Sequence, residues 1–332
     1  MHSLAKNSFL MKRGFPKYGS AVNCLKTNKF YATKSNHAAK NIVYIDGVRT
    51  PFLQSGTSYK NLMAYDLARQ SLVNETMGHS GDRLAAAFGI SRKEQDEYAL
   101  RSHTLAAKAQ QQGHLTDIVP YKVPNVSEVV NKDNGIRVST PEQLEKLKPA
   151  FVKPYGGVTA ANASFLTDGA SAALIMTEEK ALQLGLTPKA YLRNFTYVSQ
   201  DPVDQLLLGP TYVIPQILQK AKLNVKDVGV WEIHEAFAGQ ILANLKALDS
   251  DWFAQNYLGR SSKVGVPDLN QWNAWGGSLS IGHPFAATGV RLATHTANRL
   301  IKEDQQFGLI AACAAGGQGV GMIMERYPGA KV

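Results

Sequence analysis

Two short glycine-rich segments carry the groups best suited to catalysis. In the first, Trp275-Gly276-Gly277-Ser278-Leu279-Ser280-Ile281-Gly282-His283-Pro284, a histidine sits in a turn. A helical pattern follows it, with Ala286, Val290, Ala293, Ala297 and Leu300 as its apolar positions. An imidazole near a helix N-terminus has its protonated form disfavoured, which suits a neutral general base. Glycines on both sides let a ligand approach the backbone. The turn lacks Gly-Lys-Ser/Thr and so is not a nucleotide P-loop; its bland alternative is a histidine that merely closes a turn. In the second segment, Ala311-Ala312-Cys313-Ala314-Ala315-Gly316-Gly317-Gln318-Gly319, small residues leave space around the Cys313 sulfur. The glycines after it could turn N–H groups toward an oxyanion. A cysteine in an apolar strand is usually an inert core thiol. Together, Cys313 and His283 make a Cys/His pair suited to acyl chemistry.

Two further segments supply supporting groups. His234-Glu235-Ala236-Phe237 lies between a strand pattern and a helix pattern, where α/β folds place functional groups. It is not a zinc-protease helix, because position 238 is Ala. The other histidines show no ligand spacing, so no metal is expected. Residues 159–169, with Asn162-Ala163-Ser164 at their centre, are small and hydroxylic. They could line a narrow channel for an extended ligand or form an ordinary polar loop before a strand.

The elements that must hold these groups alternate between strand and helix. Residues 41–48 read as a first strand through Ile42, Val43, Tyr44, Ile45 and Val48. Pro51 and Gly56 mark a loop, and 62–72 read as a helix on Leu62, Met63, Leu67 and Leu72. A second helix opens at Ser91, which forms a capping box with Glu94, and stops at Gly113. Residues 114–150, with Asp133-Asn134-Gly135, are polar and turn-rich and read as an elaborated surface segment. Strands are expected at 170–176, 227–233 and 308–315, and helices at 238–248 and 285–301. Near-continuous apolar strands of this kind argue for an α/β fold with a buried sheet. Aligning Gly169 with Gly317 places Leu174, Ile175 and Met176 over Met322, Ile323 and Met324, which hints at two related halves.

Composition bounds the function. The chain has 332 residues, 44% hydrophobic and 19% charged, which excludes a disordered chain, a fibre and a small disulfide scaffold. Its two cysteines, Cys24 and Cys313, suit a reducing compartment. No apolar run reaches the length of a membrane-spanning helix; the best is 309–315. The net charge of +10 suggests nucleic acid until it is located. Residues 1–40 hold eight Lys and Arg and no acid, so the remainder carries only +2. A basic, Ser/Thr-bearing, acid-free N-terminus reads as a mitochondrial transit peptide, or else as a basic disordered arm. A nucleic-acid partner then has no support.

Five ordered motifs resemble a thiolase: Arg49-Thr50-Pro51-Phe52, the Asn162-Ala163-Ser164 loop, His234-Glu235-Ala236-Phe237, Gly282-His283-Pro284, and Cys313 with Gly316-Gly317-Gln318-Gly319. The resemblance runs from Asn41 to about Pro328. His234, where most thiolases carry Asn, is similar to the mitochondrial long-chain branch that works as a β chain beside an α subunit; Asp46 to Ser58 and Thr76-Met77-Gly78-His79-Ser80 point the same way. The resemblance implies an α/β thiolase-like fold of two related halves with a loop domain. Residues 1–40 would be the transit peptide and 41–185 the first half, incomplete, with the loop domain at about 74–150. Residues 186–332 would be the second half. It further implies cleavage of a 3-ketoacyl-CoA by CoA in fatty-acid β-oxidation, giving acetyl-CoA and a shortened acyl-CoA through an acyl-cysteine. Coenzyme A is then a substrate, and no cofactor or metal is needed. The implied setting is the mitochondrial matrix, with inner-membrane association, and the implied partners are a second β chain and the α subunit.

By the same resemblance His283 activates the nucleophilic cysteine, and Cys313 moves the proton of the acetyl group. His234 helps hold an oxyanion-hole water, the Ala315 N–H is a donor of the other hole, and Ser164 borders the pantetheine of CoA. One departure is large. The family places its nucleophilic cysteine in the first half, after the third strand, whereas this sequence passes from Leu72 to Asn74-Glu75-Thr76-Met77 of the loop domain. Normal thiolysis is therefore expected to be abolished or very slow. The alternatives are a shortened, non-catalytic CoA-binding or assembly subunit, and a site in which Cys313 is itself the nucleophile. The strands missing beside residues 42–48 are also expected to leave that strand's backbone groups unpaired and apolar surface exposed.

Overall fold

The computed structural model describes residues 41–49, 53–54 and 76–331. The basic segment 1–40 with Cys24, the helix expected at 62–72, and Thr50-Pro51-Phe52 lie outside the described residues. The first described elements are β1 (Ile42–Arg49), β2 (Leu53–Gln54), α1 (Met77–Ala87) and α2 (Arg92–Gln111). Thr76 caps α1, and the expected Ser91/Glu94 capping box opens α2. Short elements follow: β3 (Tyr121–Lys122), β4 (Val129–Val130), α3 (Pro141–Glu145) and β5 (Thr167–Asp168). Then come β6 (Ser171–Thr177), α4 (Glu178–Gln183), β7 (Ala190–Ser199), α5 (Gly209–Ala221) and β8 (Val230–Ile233). The chain ends through α6 (Ala238–Leu248), α7 (Asp251–Tyr257), α8 (Ser278–Ile281), α9 (Thr288–Lys302), β9 (Phe307–Ala314) and β10 (Gln318–Arg326).

Six strands form one mixed sheet in the order β6-β1-β7-β10-β9-β8. Neighbours run antiparallel except β8 and β9, which are parallel, with Ile233 opposite Ala311. That parallel pair needs a crossover, and the chain between them supplies α6 through α9. The largest core cluster joins α5, α6 and the β8–β10 end of the sheet, with Trp231 and Trp272 stacked at 6.1 Å and both fully buried. The ends of β8 and β9 thus rise from this core cluster.

The expectation that β1 would be left unpaired is corrected. It pairs with β6 from Ile42 to Arg49, and with β7 at Val43 and Tyr44. Beyond Tyr44 the second side is closed at its far end by Asp117 and Val119, which exchange backbone hydrogen bonds with Arg49. The exposed apolar surface has moved instead to the sheet's edge and flank, at Leu174, Ile175, Phe195 and Tyr197. The run at 170–176 is thus not a fully buried strand: among the described residues β6 is the edge of the sheet, and an apolar sequence cannot announce which strand lies alongside.

Two other expectations need correction. The segment 114–150 is not all surface, because Asp117 and Asp133 are buried and hold the Arg49 guanidinium at 2.9 and 2.6 Å. The final long helix begins at Thr288 rather than at 285, since residues 285–287 form turns. α9 is buried almost all round, and its Arg291 and Arg299 both bind Glu232 of β8, at 3.2 and 2.8 Å. A buried carboxylate between two guanidiniums fixes α9 against the sheet beneath the site, since losing one partner would leave a buried charge uncompensated.

Candidate active site

The site gathers at the carboxyl ends of β8 and β9. His234 leaves β8 with its N–H donating to the Ala311 carbonyl, at 2.9 Å, so it stands beside the strand that carries Cys313 two residues on. Cys313 is buried at 8% exposure and shares a core cluster with Ala236 and Phe237 of the same turn. Gly209, the first residue of α5, lies so close that a Cβ there would sit 3.0 Å from the Cys313 Cβ. Burial pushes the Cys313 thiol up to about 12, so it is held as a protonated thiol at neutral pH.

His283 is brought to His234 by the glycine-rich turn. Their ring centroids are 3.9 Å apart. Gly282, at φ 106°, permits this path, and Thr167 of β5 lies 2.7 Å from where a Cβ would be. The Thr167 hydroxyl accepts from the His283 N–H at 3.1 Å. His283 Nδ1 lies 2.6 Å from the Thr288 hydroxyl, whose own hydrogen goes to the Pro284 carbonyl. With its hydrogen on that carbonyl, Thr288 accepts from His283 Nδ1–H, an arrangement that leaves the Nε2 lone pair for a ligand. Burial, with Arg291 in support, lowers the His283 pKa to about 3. Burial and the adjacent His283 lower that of His234 well below the usual imidazole range. Both rings are neutral at physiological pH.

The Asn162-Ala163-Ser164 loop docks against this turn as a short ladder. Ser164 N–H donates to the Ala236 carbonyl and Ala238 N–H to the Asn162 carbonyl, both at 2.9 Å. Asn162 itself is fully buried, donating to Asp96 of α2 and to Gly157. Ala315 follows β9 directly, in a turn whose Gly316 and Gly317 have φ of 87° and 74°. The fold thus brings His234, His283, Cys313 and Ser164 to the β8/β9 ends, with Ala315 at the turn that leaves β9.

Sequence reasoning missed the residues that orient them. Glu235 is fully buried and accepts from Tyr98, Ser102, Asn273 and the Leu279 N–H. It thereby ties α2 and α8 to the end of β8. Ser278, Thr288 and Arg291 lie close to motifs already singled out, but only pairing across the fold distinguishes them from ordinary helix residues.

The histidines lowered mainly by deep burial, His103, His234 and His283, set a pH dependence. His103, whose Nδ1 accepts from the Arg137 N–H at 3.0 Å, is lowered by burial to about 4. Unfolded histidine binds a proton below about 6.5, whereas these folded ones stay neutral until far lower pH. The unfolded state then holds more protons, so stability is full above about pH 6.5 and falls as pH falls, by up to about 1.4 kcal/mol per pH unit for each such group. The urea midpoint is expected to drop between pH 7 and pH 5. A His103→Gln, His283→Gln double variant should show a shallower drop; an unchanged slope would refute the burial of these neutral rings.

Comparison with known proteins places the arrangement. Residues 69–179 match the thiolase N-terminal domain and residues 186–326 the thiolase C-terminal domain. The chain belongs to the thiolase family. Among thiolase relatives, it is 70% identical over 255 residues to the cattle mitochondrial trifunctional enzyme subunit beta, covering 77% of this chain and 54% of that protein. It is 62% identical over 275 residues to a probable 3-ketoacyl-CoA thiolase of Caenorhabditis elegans, covering 82% of this chain and 61% of that protein. The chain spans about half the length of the curated relatives it matches. In fold it is similar to the Bacillus anthracis acetyl-CoA acetyltransferase, with TM-score 0.75 and 25% identity over 87% of this chain and 100% of that one. Human mitochondrial 3-ketoacyl-CoA thiolase gives a TM-score of 0.73 at 24% identity over 86% of this chain and 99% of that one. The thiolase-like fold inferred from the five motifs is thus borne out.

Proposed function

We propose that this chain carries the proton-handling half of a 3-ketoacyl-CoA thiolase of mitochondrial fatty-acid β-oxidation, without the thiol that accepts the acyl group. The observation that carries this reading is the geometry of the site: His283 Nδ1 set against the Thr288 hydroxyl, with the ring packed close to His234, and a buried Cys313 whose burial favours the protonated thiol. His283 Nε2 takes the proton from an attacking thiol. Cys313 gives its proton to the α-carbon of the departing acetyl-CoA as the carbon–carbon bond of the 3-ketoacyl-CoA breaks. His234 and the Ala315 N–H stabilise developing oxyanions, and Ser164 borders the CoA arm.

Acyl transfer also needs a nucleophile that holds the shortened acyl group. The chain has two cysteines, and Cys24 falls within the basic segment read as a transit peptide. Cys313, with so high a pKa, is poorly suited to attack. This favours the second reading, a shortened CoA-binding or assembly subunit. In either case residues 41–185 and 186–332 correspond to the two thiolase halves, and the partners are a second β chain and an α subunit in mitochondria. The names of the relatives support that setting.

The test is a thiolysis assay on the full chain with 3-ketoacyl-CoA and CoA, alongside circular dichroism and intact-mass measurement. The expected result is a folded protein with no thiolysis and no acyl adduct on Cys313. Turnover near that of the Caenorhabditis elegans relative, or an acylated Cys313, would overturn the assignment and make Cys313 the nucleophile.

A further inference from the structure

We infer that Ser278 and Arg291 are positioning residues that lock His234 as an Nε2–H tautomer, so that this ring presents a donor while its neighbour His283 presents an acceptor. The inference concerns the same site as the proposed thiolase function and rests on that reading for its chemical use, but not for its test.

Ser278, the first residue of α8, is fully buried. Its hydroxyl oxygen accepts from Arg291 Nη2 at 3.0 Å and lies 2.9 Å from His234 Nδ1. A serine hydroxyl has one hydrogen to give. Among the described residues, His234 Nδ1 is the acceptor within its reach, so the hydrogen goes there and Nδ1 carries the lone pair. A neutral imidazole then holds its proton on Nε2.

Arg291 cannot reverse this order, because a guanidinium only donates. Its own position is set by Glu232, whose carboxylate it meets at 3.2 Å and which also receives Arg299 at 2.8 Å. The chain Glu232–Arg291–Ser278–His234 runs from the buried sheet to the ring without a group able to change direction at neutral pH. His283, fixed by Thr288 in the opposite tautomer, touches His234 at 3.9 Å between centroids. The two rings are chemically equivalent in sequence and are made different by the partner of each Nδ1. A donor at His234 suits an oxyanion or a water that binds one; an acceptor at His283 suits a thiol proton. Reversing either tautomer alone would leave the pair with two bases or two donors.

Nitrogen NMR of the full chain labelled at histidine reads this directly, without substrate. The His234 signals are assigned by their loss in His234→Gln. The expected wild-type pattern is a protonated Nε2 and an unprotonated, hydrogen-bonded Nδ1. In Ser278→Ala the Nδ1 signal should move toward that of a ring nitrogen with a free lone pair, and Ser278→Thr, which keeps a hydroxyl, should restore it. Wild-type protonation at Nδ1, or an Nδ1 signal unmoved in Ser278→Ala, would overturn the inference. If Ser278→Ala does not fold, Arg291→Lys in the folded chain decides: the Nδ1 signal should shift, and a fixed signal counts against the relay. Because no step uses CoA, a negative result here leaves the thiolase reading standing, and a failed thiolysis assay leaves this one standing.

Discussion

Iodoacetamide is expected to alkylate Cys313 in the folded protein about a thousandfold or more slowly than in urea. The thiolate is the reacting form, and an ordinary cysteine near pKa 8.5 has roughly a tenth of its thiol ionised at pH 7.5. Burial holds Cys313 at about 12, where about three molecules in a hundred thousand are ionised at that pH. Among the described residues no charged group offsets this burial, and only a backbone hydrogen bond acts against it. Access acts in the same direction: the side chain is 8% exposed and packed against Gly209 and the Leu206–Leu208 turn. The measurement is the rate of mass gain in a Cys24→Ser background, which leaves one thiol to report. Equal rates in folded and unfolded protein would show an ionised, accessible Cys313 and would favour it as the nucleophile. The expected protection would instead fit the proton-donor role proposed for it. It also explains why one cysteine cannot serve both halves of an acyl transfer: the environment that keeps a thiol protonated for the leaving carbanion weakens it as an attacker.

What was legible in the sequence follows from range. Capping at Ser91 and the span of α6 are settled within a few residues, and the structure has both where the sequence places them. His283, His234 and Cys313 were identifiable because glycine-rich turns and strand ends mark where side chains reach a site. Pairing across the fold was not legible. An apolar run from Ala170 to Met176 looks buried, yet among the described residues β6 is the sheet's edge, with Leu174 and Ile175 about half exposed, because burial depends on which strand lies alongside. Asp133-Asn134-Gly135 looks like a solvated turn, yet Asp133 is buried on Arg49, a partner 84 residues away. The same distance hides Glu235, whose four donors come from α2, α8 and the loop at Asn273. Local chemistry identifies the reacting groups; the groups that orient them belong to tertiary structure.

Glu235→Ala is expected to destabilise the fold by about 3–5 kcal/mol. Oε1 accepts from Tyr98 at 2.9 Å and Asn273 at 2.7 Å, and Oε2 from Ser102 at 2.8 Å and the Leu279 N–H at 3.3 Å. Removing the carboxylate strands these donors in a fully buried position, and each buried donor without a partner costs about 1–3 kcal/mol. They are not strictly additive, because Ser102 can turn to Ser280, 3.0 Å away. Tyr98 also accepts from the Trp272 indole at 3.1 Å, so the loss propagates into the stacked Trp231–Trp272 core and should be visible in tryptophan fluorescence. Glu235→Gln keeps the shape but turns an amide N–H₂ toward two donors, so it should recover only part of the loss. The check is the urea midpoint of all three proteins. A Glu235→Ala loss below about 1 kcal/mol would mean that water replaces the carboxylate, and that α8 is held in place by other contacts. The larger loss would show that the carboxylate beside His234 holds together the helices that bring Ser278 to it. In that case the second residue of the His234-Glu235-Ala236-Phe237 turn builds the site that the first one uses.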